Sequence, residues 1–203
     1  MTRTIPVYSA LAGTGFLASG GNATWLVTAG HTMTKCRHST KDWSQWPDSL
    51  HVHFADGTNL AIALFSPERR PLFNYANDGI AGTKVEDSIA IKLNSDQLKM
   101  LSAFRAFPIG DFSTNDGDEA TMIGFPDFGA RYPNIPPERA VSGRIKGYGH
   151  QMIGLDVLSK GGLSGGPVLS GGRLIGSVSG NTLTDDNRGL VVSSEEVGSR
   201  LFI

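Results

Sequence analysis

The sequence predicts an all-β protein of the barrel or sandwich type. Short apolar, strand-like runs recur along the chain, and turn residues separate them at spacings of about 8–12 residues. The 26 glycines and 10 prolines are dispersed over the 203 residues, which is typical of a turn-rich β protein and not of a linker. Hydrophobic residues make up 39% of the chain, enough for a sizeable core.

The first half predicts two hairpins, a further strand and a short helix. A Gly-Gly-Asn turn lies between strand-like residues 15–19 and 24–28, and an Asp-Gly turn lies between residues 50–54 and 60–65. Residues 88–93 form the next apolar run. The segment 94–104 is expected to be briefly helical, with Ser95 as its N-cap.

The second half predicts six strands and a terminal helix. The strands are expected at residues 119–124, 140–146, 152–158, 167–169, 173–179 and 189–192. Ser193 and Glu196 form a capping-box pattern, which predicts a short helix through Leu201. We therefore expect one unit over residues 1–203, with a first barrel at 1–95, a connection at 96–115 and a second barrel at 116–203.

Two motifs carry candidate catalytic side chains. Ser164 lies among glycines in Gly161–Pro167, and His31 follows an apolar run that ends in Thr-Ala-Gly. A serine hydroxyl becomes a useful nucleophile when a base takes its proton and backbone N–H groups stabilise the oxyanion that forms. Glycines let the backbone bend so that such N–H groups converge on one point.

The order of the motifs along the chain separates three ways of building a Ser-His-Asp triad. Residues 162–166 also match G-x-S-x-G, but α/β-hydrolases place histidine after the serine, and the last histidine here is His150. The subtilisin order needs an aspartate before the histidine, and no Asp or Glu precedes His31. The order His, Asp, Ser remains, so the aspartate must lie between His31 and Ser164.

Asp87 is the predicted third member. The other candidates mostly lie in turn-like or loop-like segments: Asp42, Asp48, Asp56, Asp78, Asp111, Asp116, Asp118 and Asp127. Asp87 directly precedes the strand-like run 89–93, where a carboxylate is held rigidly and partly desolvated. These properties suit a group that orients a histidine and stabilises its cation. The alternative is that Asp87 merely begins a strand.

These motifs resemble those of the trypsin-like, chymotrypsin-fold serine peptidases. Residues 28–31 (TAGH) are similar to the family's T-A-[AG]-H, residues 87–93 (DSIAIKL) to its D-x-A-x-x-K-L strand displaced by one, and residues 162–167 (GLSGGP) to its G-[DN]-S-G-G-P. The resemblance implies two six-stranded Greek-key β-barrels, a short inter-barrel helix and a short C-terminal helix. Pieces at 107–111, 117–120, 123–126, 141–145 and 174–176 are similar to bacterial HtrA-type protease domains, here expected without a PDZ domain.

The resemblance also implies roles for individual residues. His31, Asp87 and Ser164 would form the triad between the barrels, and the N–H groups of Gly162 and Ser164 would form the oxyanion hole. Leu158, six residues before Ser164, would lie at the base of the primary specificity pocket, and its apolar side chain predicts cleavage after small or aliphatic residues. Residues Ser179, Gly180 and Asn181 match the stretch that pairs with the substrate backbone.

Two departures from the family bear on processing and location. Leu163 stands where many secreted members have an aspartate that pairs with a newly cut N-terminus, and the chain begins Met-Thr-Arg, so we expect no such activation. Cys36 is the only cysteine, so no intrachain disulfide can form, and a structural thiol is the expected role. With no signal peptide recognised, the prediction is a cytoplasmic protein.

Composition excludes several partner classes. A net charge of −1 and 18% charged residues indicate no polyanion-binding surface, so no nucleic acid is expected. No run approaches the roughly 18 apolar residues of a membrane span. His51 and His53 share a strand face without ligand partners at suitable spacing, so no metal or other cofactor is expected.

The predicted function is a serine endopeptidase that acts on polypeptide substrates through an acyl-enzyme. Two alternatives stay open: a catalytically inactive peptide-binding module on the same fold, and an esterase or acyl-transfer enzyme that uses the same site. The sequence indicates no particular regulator or oligomeric partner.

Overall fold

The computed structural model describes residues 3–20, 22–35, 43–76, 87–110, 114–148, 152–181 and 188–193. The strands of the first half are β1 (Ile5–Tyr8), β2 (Ala12–Gly20), β3 (Ala23–Ala29), β4 (Ser49–His53), β5 (Asn59–Ala63), β6 (Phe73–Ala76), β7 (Ser88–Lys92) and β8 (Ala106–Pro108). Those of the second half are β9 (Glu119–Gly124), β10 (Arg139–Tyr148), β11 (Met152–Leu155), β12 (Pro167–Ser170), β13 (Arg173–Asn181) and β14 (Gly189–Ser193).

The helices are short. They are α1 (His31–Thr34), α2 (Ser95–Met100) and α3 (Phe128–Arg131), with a 3₁₀ turn at Trp43–Gln45. Within the described ranges, no helix has the length and apolar character that crossing a membrane requires. The mostly β architecture and the brief helix between the two halves confirm the predicted all-β class.

The second half forms a closed six-stranded barrel. Its strands follow the order β10-β11-β14-β13-β12-β9, and β9 pairs with β10 to complete the ring. All of these pairings are antiparallel. The six strands correspond to the six predicted from the sequence, although β11 ends at Leu155 rather than at Leu158.

The first half differs in detail from the six-stranded barrel that was expected. Its strands form a curled sheet in the order β5-β4-β1-β2-β3-β7-β6, and β8 adds to β2 in parallel from within the predicted connection. Among the described residues, the two ends of this sheet meet through an isolated bridge between Phe65 and Pro71. The first half is therefore a curled half-barrel, and β1, β6 and β8 are strands that the sequence reading missed.

Side chains on the two faces of β2 and β3 belong to two different buried clusters, one of which connects the two halves of the chain. Leu17 and Leu26 point into the core of the first sheet, whereas their neighbours Phe16 and Val27 belong to a separate buried cluster. That cluster also contains Leu169 and Val192 of the second barrel. Because side chains of a strand alternate between its faces, one pair of strands contributes to the first core and to the inter-barrel interface at once.

The cap of α2 differs from the prediction. Asn94, and not Ser95, is the N-cap of α2: its Oδ1 accepts hydrogen bonds from Asp96 N and Gln97 N, at 3.1 and 2.9 Å. Gln97 Oε1 in turn accepts from Asn94 N at 2.9 Å, which completes a capping box. Ser193 ends β14, and the expected C-terminal helix beyond it, like Cys36, lies outside the described residues.

Candidate active site

Strand pairing brings His31 and Asp87 together. β3 and β7 are antiparallel neighbours in which Ala29 lies opposite Ser88, so the residues just beyond this pair must meet. His31 Nδ1 hydrogen-bonds with Asp87 Oδ2. The backbone N–H of His31 donates to Asp87 Oδ1 at 2.8 Å, and that of Gly30 donates to Asp87 O at 2.8 Å. The carboxylate thus holds both the ring and the backbone of His31.

The environment of the pair is asymmetric. Asp87 is only 2% exposed, whereas the His31 side chain is 17% exposed and reaches solvent. Burial raises the pKa of the Asp87 carboxyl, although the hydrogen bonds and charge of His31 and the Gly30 N–H partly offset this effect. Since Nδ1 faces the carboxylate, Nε2 is the ring nitrogen left to accept a proton.

Tyr75 and Gly30 enclose the other side of Asp87. A Cβ atom on Gly30 would lie 2.8 Å from Asp87 Oδ1 and 2.9 Å from Tyr75 Cε2, so only glycine fits there without displacing the carboxylate. Burial, and secondarily the charge of Asp87, raises the pKa of the Tyr75 hydroxyl well above its ordinary value. Tyr75 is therefore a neutral wall of the site. The sequence reading missed it because β6 was not predicted.

The Ser164 loop, residues 161–166, contains backbone N–H groups with a hydrogen-bond acceptor among the described residues and others without one. The N–H groups of Leu163, Gly165 and Gly166 donate to Lys160 O, Val178 O and Leu163 O, at 3.0, 2.7 and 2.8 Å. Among the residues that the structure describes, the N–H groups of Gly162 and Ser164 have no such acceptor. These two are the donors expected for an oxyanion hole.

Hydrogen bonds to the two preceding carbonyls orient these N–H groups. Gly161 O accepts from Asp127 N at 2.7 Å, and Leu163 O accepts from Gly166 N at 2.8 Å. Because a trans peptide is planar, its N–H points away from its own C=O. Fixing these two carbonyls therefore fixes the directions of the Gly162 and Ser164 N–H groups.

Gly162 requires glycine for two independent reasons. Its φ is +94°, in the region that residues other than glycine rarely adopt. A Cβ atom there would also lie 2.2 Å from Phe125 O. The segment that begins at Phe125 therefore packs directly against the candidate oxyanion loop.

Backbone contacts place Ser164 beside the first sheet. Ser164 O accepts a hydrogen bond from Thr14 N at 2.9 Å, and Thr28 Oγ1 donates to Thr14 O at 2.8 Å. Thr28 lies near the end of β3, three residues before His31, which begins α1. Within the described part of the chain, Ser164 Oγ makes no hydrogen bond to His31; in free enzymes such contacts are often long and tighten with substrate.

The residues implied in specificity lie around the same loop. Leu158 is 42% exposed and follows β11. Ser179 is buried at a register shift between β13 and β14, and Asn181 is tied to Ser159, whose N–H donates to Asn181 Oδ1 at 2.7 Å. Ser159 Oγ also donates to Gly180 O at 3.1 Å. The segments 158–160 and 179–181 therefore form adjoining walls near Ser164.

The two histidines of β4, His51 and His53, contact a hydroxyl and aromatic rings. His51 Nε2 lies 3.1 Å from Ser49 Oγ, and His53 packs edge-on against Tyr8 and Tyr132. Within the described ranges, no group of three or more His, Cys, Asp or Glu side chains is arranged to hold a metal ion.

Comparison with known proteins identifies the family of the chain and supports the chymotrypsin-like fold class. A family model described as a trypsin-like peptidase domain matches residues 13–176. In fold, the chain is similar to the inactive form of the Rv3671c protease of M. tuberculosis H37Rv, with a TM-score of 0.59 and 17% identity over 97% of this chain and 86% of that one.

A second similar structure is the thermostable serine protease AL20 from an extremophilic microorganism, with a TM-score of 0.60 and 17% identity over 94% of this chain and 89% of that one. At such identities the likeness shows a shared fold alone. No curated protein sequence matches the chain.

Proposed function

Since the chain belongs to the trypsin-like peptidase family, we propose that it is a serine endopeptidase with the triad His31, Asp87 and Ser164. Membership in a peptidase family implies polypeptide substrates. The observation that carries the finer proposal is the pairing of two features: Asp87 holds His31 Nδ1, and the loop of Ser164 carries two N–H groups without an acceptor among the described residues.

The mechanism follows from the positions of the protons. His31 donates its Nδ1–H to Asp87, so Nε2 accepts the proton of Ser164 as Oγ attacks the substrate carbonyl carbon. The carbonyl oxygen becomes an oxyanion that accepts from the N–H groups of Gly162 and Ser164. His31 then gives its proton to the leaving amine, and an acyl-enzyme remains. Water repeats the sequence and releases the acid product.

Desolvation explains the role of Asp87. When His31 gains a proton, an ion pair forms with a carboxylate that is 2% exposed and hence poorly screened by water. The attraction stabilises the imidazolium in the transition state. Asp87 also prevents the ring from rotating, because it bonds to the backbone N–H as well as to Nδ1.

We further propose that the enzyme cleaves after small or aliphatic residues. Leu158 lies next to Ser159, which is tied to Gly180 and Asn181. An apolar side chain at the base of the primary pocket offers no charge to a substrate lysine or arginine. A peptide library that showed preferred cleavage after basic residues would contradict this assignment.

The first experiment is labelling with a fluorophosphonate probe, which needs an activated serine and an oxyanion hole. We expect the unmodified protein to be labelled, and the Ser164→Ala and His31→Ala variants to be unlabelled. Asp87→Asn should retain the fold but react about 10⁴-fold more slowly. Absence of labelling in the unmodified, folded protein would favour the inactive binding module. Labelling with hydrolysis of esters but not of peptides would favour the acyl-transfer alternative.

A further inference from the structure

Thr14 lies at the point where the first sheet contacts the Ser164 loop. It is fully buried, with no exposed surface. Its Oγ1 donates to Gly162 O at 2.7 Å and accepts from Phe125 N at 3.1 Å. One hydroxyl of the first half therefore connects two backbone segments of the second half, each more than 100 residues away in the sequence, with separations of 148 and 111.

The contacts of Thr14 complete the restraint of the oxyanion loop. Asp127 N fixes the peptide between residues 161 and 162, and Thr14 Oγ1 fixes the next peptide through Gly162 O. Thr14 N also donates to Ser164 O, which fixes the peptide after the nucleophile. Without the hydroxyl, the peptide between Gly162 and Leu163 would keep only the hydrogen bond from Leu163 N to Lys160 O, and Phe125 N would lose its acceptor.

The side chain of Thr14 is tightly packed against the backbone of two glycines. A Cβ atom on Gly124 would lie 2.3 Å from Thr14 Oγ1, and one on Gly166 would lie 3.2 Å from Thr14 Cγ2. The side chain thus has both its hydroxyl and its methyl group in contact with backbone that flanks the candidate oxyanion hole. A side chain at position 124 would therefore displace the Thr14 hydroxyl, and one at position 166 would press on its methyl group.

We propose that Thr14 is a positioning residue that preorganises the oxyanion hole from the opposite half of the molecule. The inference rests on the proposed serine endopeptidase function and extends it to a residue outside the triad motifs. Thr14 touches no substrate atom in this assignment. It acts by holding Gly162 where its N–H can meet the developing oxyanion, a placement in which an error of 1 Å costs about 100-fold in rate.

The test compares three variants. Thr14→Val removes the hydroxyl at nearly constant volume, and Thr14→Ser restores a hydroxyl without the methyl group. Thr4→Val is the matched control, because Thr4 is equally buried and its hydroxyl donates to Glu138 of the second half and not to the Ser164 loop. If Thr14→Val lacks a cooperative unfolding transition, Thr14→Ala takes its place.

The first readout is the second-order rate constant of fluorophosphonate labelling, with kcat and KM on any peptide substrate that is found. Thr14→Val should react about 10- to 100-fold more slowly than the unmodified protein, mainly through kcat. Thr14→Ser should recover most of that loss, and Thr4→Val should lose stability but keep its reactivity. Equal reactivity of folded Thr14→Val and Thr4→Val would overturn the proposal.

Hydrogen exchange provides a readout independent of activity. In Thr14→Val, the N–H groups of Leu163, Gly165 and Gly166 should exchange faster than in Thr4→Val, because their loop has lost a restraint. If the unmodified protein is unreactive, the proposed function fails, but this comparison still decides the role of Thr14. Unchanged exchange in Thr14→Val would refute it.

Discussion

Replacing Gly162 by alanine should remove most of the reactivity of Ser164 while the chain still folds. The new Cβ atom would lie 2.2 Å from Phe125 O, whereas unbonded carbon and oxygen atoms in proteins approach to about 3.3 Å. The clashing atom belongs to the backbone of Phe125, whose N–H donates to Thr14 Oγ1. The loop of Gly162 must therefore move by about 1 Å. A shift of that size costs about 100-fold, and complete loss of one donor costs about 100- to 1,000-fold.

Gly117 provides a control for backbone strain. Its φ is +90°, close to the +94° of Gly162, but no described atom lies within 4 Å of a Cβ placed there. Gly117→Ala should thus lose about 1–2 kcal/mol through its φ alone. In a domain of this size that lowers Tm by about 2–4 °C for each kcal/mol. Its reactivity should be unchanged.

The assay measures fluorophosphonate labelling rates and Tm for both alanine variants. We expect both to lose stability and only Gly162→Ala to lose reactivity, by about 100- to 1,000-fold. If folded Gly162→Ala is labelled as fast as Gly117→Ala, the Gly162 N–H is not an oxyanion donor. The assignment of the oxyanion hole would then be wrong.

Two further predictions concern stability. Burial, and secondarily the charge of His51, lowers the pKa of His53 below 6.5. The folded state therefore binds a proton at His53 less readily than the unfolded chain does. The free energy of unfolding should consequently fall as pH drops below 6.5. His53→Phe, which keeps the ring contacts with Tyr8 and Tyr132, should lose less Tm between pH 7 and pH 5; an equal loss would exclude His53 as a cause. Asn94→Ala removes the cap of α2 and should cost about 1 kcal/mol in chemical denaturation with labelling unchanged; a change below about 0.3 kcal/mol would show that the capping box contributes little.

Local patterns were sufficient for the strands that carry their own signal. β9 has the predicted bounds, because polar and apolar residues alternate from Glu119 to Met122 and turns flank the strand. β1 and β8 lack such signals: each contains a proline and is very short. They are strands because β2 pairs with both, one after the other along the edge that faces away from β3, and a single sequence does not display such a partner.

The candidate site likewise has residues that the sequence predicts and residues that it does not. The residue types and order of His31, Asp87 and Ser164 are readable from the sequence, and pairing of β3 with β7 brings the first two together. The sequence predicts no role for Thr14, which directly precedes the first predicted strand. Nothing in its neighbours distinguishes a threonine that supports a strand from one that bonds to a loop 148 residues away.

The kinds of contact between the two halves explain where function should be sensitive. Away from the site, Phe16 and Val27 pack against Leu169 and Val192, and such apolar contacts are non-directional. At the site, Thr14 bonds to Gly162, and Ser88 bonds to Ser177 through buried hydroxyls 2.8 Å apart. Hydrogen bonds constrain distance and angle within narrow limits. Apolar substitutions at the interface should therefore change stability before activity, whereas loss of the Thr14 hydroxyl should change activity at modest cost in stability.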